Sequence, residues 1–181
     1  MSGVRIIAGR YKGRALLSPP GRDTRPTNIR ARQAVFDILM HAPWCELQTS
    51  RVLDVFAGTG AYGLEALSRG ASQVSFIEHA PAALHALRTN ITACNVENAQ
   101  VFAADALAPP PGKWHDLVFL DPPYGQNLLM PALTALTRQG WIGAGSLIVA
   151  ETGPDETLTT PEPLAYRRHG KAHLKIWRVE G

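Results

Sequence analysis

The sequence predicts a doubly wound α/β fold, in which helices cover a mostly parallel sheet of seven strands. From residue 51 onward, short apolar runs typical of strands alternate with amphipathic helical patterns, which implies parallel strands joined by right-handed crossovers. The length of 181 residues suits one such domain with small additions. The hydrophobic fraction of 45% is enough for a sizeable core and too high for a disordered chain.

Each element of this fold is predicted from its own pattern. Gly70 ends one of the helices, and Pro81 occupies the first turn of the next. The last two strands alternate apolar and polar residues around Gly170-Lys171, which predicts an antiparallel hairpin at the carboxyl terminus. The predicted strands are 51–56, 73–78, 99–104, 116–120, 146–151, 164–169 and 172–179, and the helices are 61–69, 81–94 and 128–138.

The first 45 residues are predicted to form a small extension of the sheet domain. Residues 4–18 resemble two short strands around a glycine-containing turn, and 19–27 is predicted to be a loop. Thr27 or Asn28 can cap a helix that runs to about His41. We therefore divide the chain into a hairpin and helix extension, 1–45, and a sheet domain, 46–181.

Basic residues are concentrated at both ends of the chain. Residues 1–32 contain eight arginines and lysines and one acidic residue, and residues 164–181 contain five and one. The net charge is only +3, so the middle of the chain is acidic. Basic ends on an acidic body favour an anionic partner such as nucleic acid over a merely solvated surface.

Several classes of protein are disfavoured by the composition. No apolar run approaches the length that spans a bilayer, and the first residues lack a signal-peptide pattern. Cys45 and Cys94 form no pair motif and are interpreted as free thiols in a reducing cytoplasm. The six histidines show no metal-ligand spacing, so we expect no metal.

A glycine-rich loop follows the first strand of the sheet domain. The segment D-V-F-A-G-T-G-A-Y-G, residues 54–63, matches G-x-G-x-x-G and has a strand before it and a helix after it. Such loops bind nucleotide-like ligands, and a dinucleotide is one candidate. Asp54 would repel a pyrophosphate, whereas it suits the cationic groups of S-adenosylmethionine.

Two more carboxylates follow neighbouring strands. Glu78 ends the strand after the glycine loop and can accept hydrogen bonds from ribose hydroxyls, although a solvated strand-end acid is the alternative. Asp105 follows the next strand and can accept an adenine amino group, although a turn aspartate explains it nearly as well.

The tetrapeptide D-P-P-Y, residues 121–124, directly follows a buried strand. Its two prolines make a stiff, extended corner. Asp121 and the carbonyl of Pro122 can each accept one N–H of a nucleobase amino group, which directs the nitrogen lone pair toward an electrophile. Tyr124 can stack on a base that is flipped or unpaired. The motif therefore predicts transfer of a group to a nucleobase amino nitrogen.

Taken in order, D-V-F-A-G-T-G, Glu78, Asp105 and D-P-P-Y resemble the S-adenosylmethionine-dependent amino-methyltransferases, which have a Rossmann-like fold. The chain more narrowly resembles the bacterial RsmD-like enzymes, which methylate a guanine N2 in small-subunit (16S) ribosomal RNA. R-I-I-A-G-R-Y-K-G-R, R-P-T at 25–27 and G-L-E-A-L-S-R-G-A carry that narrower resemblance. Tyr62 departs from it, because a small or aliphatic residue is usual there, and so does Arg32-Gln33.

The resemblance implies roles for specific residues. Those that would bind S-adenosylmethionine, which leaves as S-adenosylhomocysteine, are Asp54, Phe56, Gly58, Gly60, Glu78, Asp105 and Ala106. Asp121, Pro122 and Tyr124 would act on the target amino group. Those that would bind ribosomal RNA or the assembling small subunit are Arg10, Lys12, Arg14, Arg25, Pro26, Thr27 and Arg30. A cytoplasmic, monomeric protein without a metal is expected.

Three alternatives remain open from the sequence. D-P-P-Y also occurs in DNA and RNA adenine-N6 methyltransferases, so only the amino-terminal resemblance favours guanine. An NAD-dependent oxidoreductase can use the same glycine loop. A nucleic-acid-binding protein with an inactive methyltransferase fold is the third alternative, and the intact D-P-P-Y counts against it.

Overall fold

A computed structural model describes residues 3–20 and 26–181 of the chain. The helices within these residues are α1 (Pro26–His41), α2 (Ala61–Ser68), α3 (Pro81–Ala93) and α4 (Leu129–Arg138). The strands are β1 (Arg51–Val55), β2 (Gln73–Glu78), β3 (Ala99–Ala103), β4 (Leu117–Leu120), β5 (Leu147–Thr152), β6 (Ala165–His169) and β7 (Ala172–Arg178).

The strands form one mixed sheet in the order β3-β2-β1-β4-β5-β7-β6. The first five strands of that order are parallel, and β7 pairs antiparallel with both β5 and β6. The strand order reverses between β1 and β4, and such reversals open a ligand-binding crevice at the carboxyl ends of the strands. The predicted fold class is thus confirmed, including the carboxyl-terminal hairpin.

Every predicted strand of the sheet is present, and its ends lie within one residue of the prediction. The first helix differs more, because α1 begins at Pro26, inside the segment predicted to be a loop. Proline suits the first position of a helix, because the N–H that it lacks would have no hydrogen-bond acceptor within the helix. The N-cap predicted at Thr27 or Asn28 is therefore wrong, because both residues lie inside the helix.

Alternating strand residues supply two apolar cores, one on each face of the sheet. On β4, Leu117 and Phe119 face one core, whereas Val118 and Leu120 face the other. The first core also contains residues of α1, α2, α3 and the amino-terminal segment, and the second contains residues of α4. The amino-terminal segment thus packs on the sheet domain, and the division of the chain at residue 45 stays a prediction.

The amino-terminal hairpin is shorter than predicted. Its two arms pair through one antiparallel bridge, Arg5 with Ala15, and through the backbone hydrogen bonds on either side of it. The turn docks on the end of α2, where a Cβ on Gly9 would lie 1.8 Å from the carbonyl oxygen of Ser68. Gly9 has φ +81°, so both the close approach and the backbone conformation require glycine.

Glu65 on α2 connects the hairpin to the sheet domain. Its fully buried carboxylate accepts the N–H groups of Ile7 at 2.7 Å and Ala8 at 3.0 Å. Arg69 donates its Nε–H to the same carboxylate at 2.8 Å, and the Nε of Arg32 lies 3.9 Å away. A buried charge is tolerated when several donors and opposite charges surround it, as they do here.

Arg32 is one of the eight basic residues counted in 1–32, but it does not belong to an exposed basic surface. Only 3% of its surface is exposed, and its guanidinium donates to the carbonyl of Arg5 beside Glu65. Burial lowers the pKa of Arg32, and the negative charge of Glu65 opposes that effect. The side chain therefore stabilises the fold instead of presenting a charge to a partner.

We predict that Glu65→Gln lowers the free energy of unfolding in urea by about 3–5 kcal/mol. The glutamine side chain has one hydrogen-bond acceptor fewer, and its NH2 group would face the donors that surround the carboxylate. The positive charges of the buried arginines beside it would lose their negative partner. The exposed Glu97 is the matched control, and Glu97→Gln is expected to change stability by less than about 0.5 kcal/mol. A loss below about 1 kcal/mol for Glu65→Gln would show that the hairpin docks without this carboxylate.

Candidate active site at the carboxyl ends of β1 and β4

The glycine loop and D-P-P-Y lie side by side because β1 and β4 are neighbouring parallel strands. Val55 pairs in register with Leu120, so the segments that follow both strands leave the sheet at the same edge. Glu78 ends β2, which pairs with the other side of β1. The sheet thus brings together the sequence motifs that were predicted to form one site.

The glycines of the loop have packing roles that the motif alone did not indicate. A Cβ on Gly60 would lie 2.5 Å from Cδ1 of Leu87, and one on Gly63 would lie 2.3 Å from Cε1 of Phe76. Phe56, Gly58 and Gly60 all have positive φ angles, of 58°, 57° and 79°. The loop therefore turns sharply enough to place its amides at the strand edge and to pack α2 closely on β2 and α3.

Asp54 is buried beneath the glycine loop. Its Oδ2 accepts the N–H of Gly63 at 2.9 Å, and 3% of the residue is exposed. Burial raises the pKa of Asp54 to about 8, and the charge of Glu78 adds to the rise, while the Gly63 N–H and Arg32 oppose it. In this environment the carboxyl is largely neutral near pH 7, and a nearby cation would favour its ionisation.

Glu78 is held rigidly by backbone amides. Its Oε2 accepts the N–H of Gly58 at 2.9 Å, while Oε1 accepts those of His79 at 2.8 Å and Ala80 at 2.9 Å. Because a carboxylate offers about four lone-pair positions, these three bonds leave room for about one more donor. The side chain is preorganised, but accepting both hydroxyls of a ribose would require one of these amides to move.

Asp105 is exposed just beyond β3 and closes a local turn. Its Oδ1 accepts the N–H of Leu107 at 2.9 Å, and its carbonyl accepts that of Ala108 at 3.0 Å. The adjoining Ala106 is buried in the core on the α4 face. The turn role weighed in the sequence is therefore present, and a second carboxylate oxygen of Asp105 remains on the exposed side chain.

The D-P-P-Y corner has one buried residue and exposed functional groups. Pro122 is buried, while Asp121 and Tyr124 are exposed, the latter by 49%. The Tyr124 hydroxyl donates to Glu151 at the end of β5. Burial and this hydrogen bond raise the pKa of Tyr124, so the phenol stays protonated and anchored at its outer end.

Two glutamates near this corner were not identified from the sequence. Glu151 binds Tyr124, and Glu156 accepts the N–H groups of Gly125 at 3.1 Å, Asn127 at 3.2 Å and Gly153 at 2.8 Å. Glu156 therefore joins the loop after D-P-P-Y to the loop after β5. The position of Glu151 at a strand end, like that of Asp121, was the available signal, whereas nothing in the sequence indicated Glu156.

Tyr62 belongs to the glycine-rich segment and packs against β4. Its ring stacks on Phe119 with centroids 4.9 Å apart and on Phe36 at 6.2 Å. Burial raises the pKa of the Tyr62 phenol, and the charges of Glu151 and Asp121 raise it further. The aromatic residue that departs from the family pattern thus fills space between α1 and β4, next to the acidic groups of the corner.

The residues predicted to bind RNA are only partly described. Arg10, Lys12, Arg14 and Arg30 are exposed, and the Arg14 guanidinium donates to the carbonyl of Ala93 at the end of α3. Pro26 and Thr27 lie in the first turn of α1, and Arg25 lies outside the described residues. The exposed hairpin residues therefore remain candidates for contacts with an anionic partner.

A groove of about 500 Å³ opens at the opposite edge of the sheet. It is lined by the amino ends of β4 and β5, by the segment after α1 that includes Cys45, and by Arg178. Arg178 binds the carbonyls of Trp44 and Gly145, and burial raises the pKa of Cys45 to about 11. The Arg178 guanidinium is therefore bonded to backbone carbonyls, and the Cys45 thiol stays protonated near neutral pH.

No group of three or more histidine, cysteine, aspartate or glutamate residues could hold a metal ion in the part of the chain that the structure describes. Within the same residues, no helix combines the length and apolar character needed to cross a bilayer.

His115 is a core residue, stacked on Trp141 and bonded to Ser75, and burial lowers its pKa to about 4.

Comparison with known proteins gives consistent matches along nearly the whole chain. A family model described as Conserved hypothetical protein 95 matches residues 4–178. Ribosomal RNA small subunit methyltransferase D of Haemophilus influenzae is 39% identical over 165 residues, which cover 88% of this chain and 83% of that protein. The protein of the same name from Escherichia coli K12 is 36% identical over 159 residues, covering 87% and 78%.

Solved structures agree with the fold. A structure described as a putative methyltransferase from Escherichia coli superposes with a TM-score of 0.84 at 33% identity, and the match covers 99% of both chains. A putative methylase from Haemophilus influenzae superposes with a TM-score of 0.79 at 32% identity, covering 99% of this chain and 100% of the other. The chain therefore belongs to the RsmD-like methyltransferase family, whose model is described as Conserved hypothetical protein 95.

Proposed function

We propose that the protein transfers a methyl group from S-adenosylmethionine to the exocyclic N2 of a guanine in small-subunit ribosomal RNA. The observation that carries this proposal is the pairing of β1 with β4, which puts a glycine loop and D-P-P-Y at one sheet edge in a chain whose relatives are named ribosomal RNA small subunit methyltransferase D. Such an enzyme acts where ribosomes assemble, in the cytoplasm.

The residues around the glycine loop fit this cofactor. Bound S-adenosylmethionine supplies an electrophilic methyl group on a sulfonium, whose C–S bond breaks to leave neutral S-adenosylhomocysteine. Glu78 would accept a ribose hydroxyl from its fixed position, and Asp105 would accept the adenine amino group. Asp54 would ionise beside the cationic methionine end, and Phe56, Gly58, Gly60 and Ala106 would shape the pocket.

The corner residues would prepare the acceptor nitrogen. An amino group conjugated to a base ring is a weak nucleophile because its lone pair is delocalised. Asp121 and the Pro122 carbonyl would each accept one N–H, which orients the lone pair toward the methyl group. After the N–C bond forms, the nitrogen is cationic and loses one proton, for which Asp121 is the adjacent acceptor. The exposed ring of Tyr124 would stack on the base.

The first test offers the protein methyl-labelled S-adenosylmethionine with unmethylated small ribosomal subunits, their deproteinised RNA and duplex DNA. We expect label in N2-methylguanosine from ribosomal RNA, identified by nucleoside chromatography. Label in N6-methyladenine would contradict the proposed base. No transfer, together with thermal stabilisation by NAD and none by S-adenosylmethionine, would contradict the methyltransferase assignment.

In the same assay, Asp121→Ala is expected to lower turnover at least about a hundredfold, because the acceptor nitrogen loses its orienting carboxylate. Binding of S-adenosylhomocysteine should change by no more than a few-fold. Asp155→Ala is the matched control, since that aspartate is exposed in the loop after β5. Equal loss of cofactor binding and turnover would assign Asp121 a structural role.

A second prediction concerns the pH dependence of cofactor affinity. With a pKa of about 8 in the free protein, Asp54 must release a proton when a sulfonium binds beside it. The dissociation constant of S-adenosylmethionine should therefore fall as pH rises from 6 to 8, by up to about tenfold per unit. Calorimetry with Asp54→Asn provides the control, because that variant keeps the titration of the ligand's own amino group. Parallel pH profiles for the two proteins would contradict the prediction.

A third prediction concerns the basic hairpin. Replacing Arg10 and Lys12 together by alanine should weaken RNA binding and reduce the slope of log affinity against log salt by about one per residue. Lys113→Ala is the control, because Lys113 is exposed beside Trp114 at the opposite edge of the sheet. Arg14 is unsuitable because its contact with Ala93 also supports the hairpin. An unchanged slope would exclude the hairpin from the RNA site.

A further inference from the structure

A second carboxylate lies beside Asp121 at the candidate acceptor site. Leu120 pairs in register with Ala150, and Asp121 and Glu151 are the residues that directly follow them. Residues two apart on a strand share a face, so Glu151 lies on the face of Val149, where Asp121 follows Phe119. Val149 and Phe119 belong to the same core. The two carboxylates therefore leave neighbouring strands on one side of the sheet.

Contacts with two tyrosines support this proximity. The charges of both carboxylates act on the phenols of Tyr62 and Tyr124, and the Tyr124 hydroxyl donates directly to Oε1 of Glu151. Tyr124 belongs to D-P-P-Y itself, so this hydrogen bond ties Glu151 to the corner. Glu156 in turn holds the backbone of the loop that follows Tyr124, at Gly125 and Asn127. Glu151 is thus a fixed acceptor next to the corner.

Two carboxylates in this arrangement fit the hydrogen-bond donors of guanine and do not fit the edge of adenine. The Watson–Crick edge of guanine presents two adjacent donors, the N1–H and the N2 amino group. The same edge of adenine presents the N6 amino group next to an N1 lone pair, which accepts hydrogen bonds. An ionised carboxylate only accepts hydrogen bonds, so it attracts the first pattern and repels the second. D-P-P-Y alone does not distinguish the two bases.

We propose that Glu151 accepts the N1–H of the target guanine and thereby selects guanine over adenine at the D-P-P-Y corner. This inference rests on the proposed function and adds a specificity-determining residue to it. Asp121 would take an N–H of the amino group while Glu151 takes the ring N–H beside it. The Tyr124 hydroxyl positions Glu151 and, through the same bond, fixes the ring that stacks on the base.

The test uses small-subunit RNA in which the guanine methylated by the wild-type protein is replaced by 2-aminopurine. That base keeps the 2-amino group, but its N1 is an acceptor instead of a donor. We expect the wild-type ratio of kcat/KM for guanine over 2-aminopurine to fall by about tenfold to a hundredfold in Glu151→Gln. The glutamine can donate to the N1 of 2-aminopurine, which the glutamate cannot.

Glu156→Gln is the matched control, because it changes a neighbouring glutamate that bonds only to loop amides in the described contacts. Its overall rate is expected to fall while its ratio stays at the wild-type value. If Glu151→Gln is too slow to assay, the dissociation constants of the two RNAs are measured in the presence of S-adenosylhomocysteine, and the binding preference for guanine over 2-aminopurine is expected to fall in the same direction.

The possible outcomes distinguish a failure of the role given to Glu151 from a failure of the proposed function. A ratio that is unchanged in Glu151→Gln, with guanine still methylated by the wild-type protein, overturns the role of Glu151 and leaves the proposed function standing. An equal fall in Glu151→Gln and Glu156→Gln also overturns it, because the effect then reflects the loop. Methylation of adenine by the wild-type protein overturns both.

Discussion

The parallel pairing of β1 with β4 is the constraint on which the candidate site depends. The strand order reverses at this pair, so the helices that follow the two strands, α2 and α4, pack on opposite faces of the sheet, and the segments after Val55 and Leu120 emerge together. The glycine loop, D-P-P-Y and the strand-end acid Glu78 are far apart in the sequence and meet only because of this order. The proposed chemistry needs a cofactor and a base to be held at one place, and this edge of the sheet is where the proposed function puts both.

The buried charged groups around Glu65 also position the segments near the candidate site. Glu65 ties the amino-terminal hairpin to α2, and α2 begins at the glycine loop. The exposed basic residues of the hairpin and the glycine loop are therefore fixed to opposite ends of one short helix. In physical terms, a rigid connection between the surface that would bind RNA and the loop that would bind cofactor would keep the acceptor base at a constant distance from the methyl donor.

Local patterns in the sequence were sufficient for the strands and for the motifs at their ends, because hydrophobic alternation and proline or glycine boundaries are properties of neighbouring residues. The role of Arg32 was not predictable in this way. Its position on α1 looks like one more basic residue near the amino terminus, and only the packing of α1 on α2 buries it beside Glu65. The strand-end position of Glu151 was a local signal, but its contact with Tyr124 was not predictable, since Tyr124 lies 27 residues earlier in the chain.

The central claim, that cofactor and acceptor meet at the carboxyl ends of β1 and β4, is tested most directly by a crystal structure of the protein with S-adenosylhomocysteine. The account predicts that a ribose hydroxyl lies within hydrogen-bond distance of Glu78 and that the sulfur faces Asp121. It further predicts that the groove beside Trp44 and Arg178 does not hold the ligand. A ribose bound away from Glu78, or a ligand in that groove, would contradict the account.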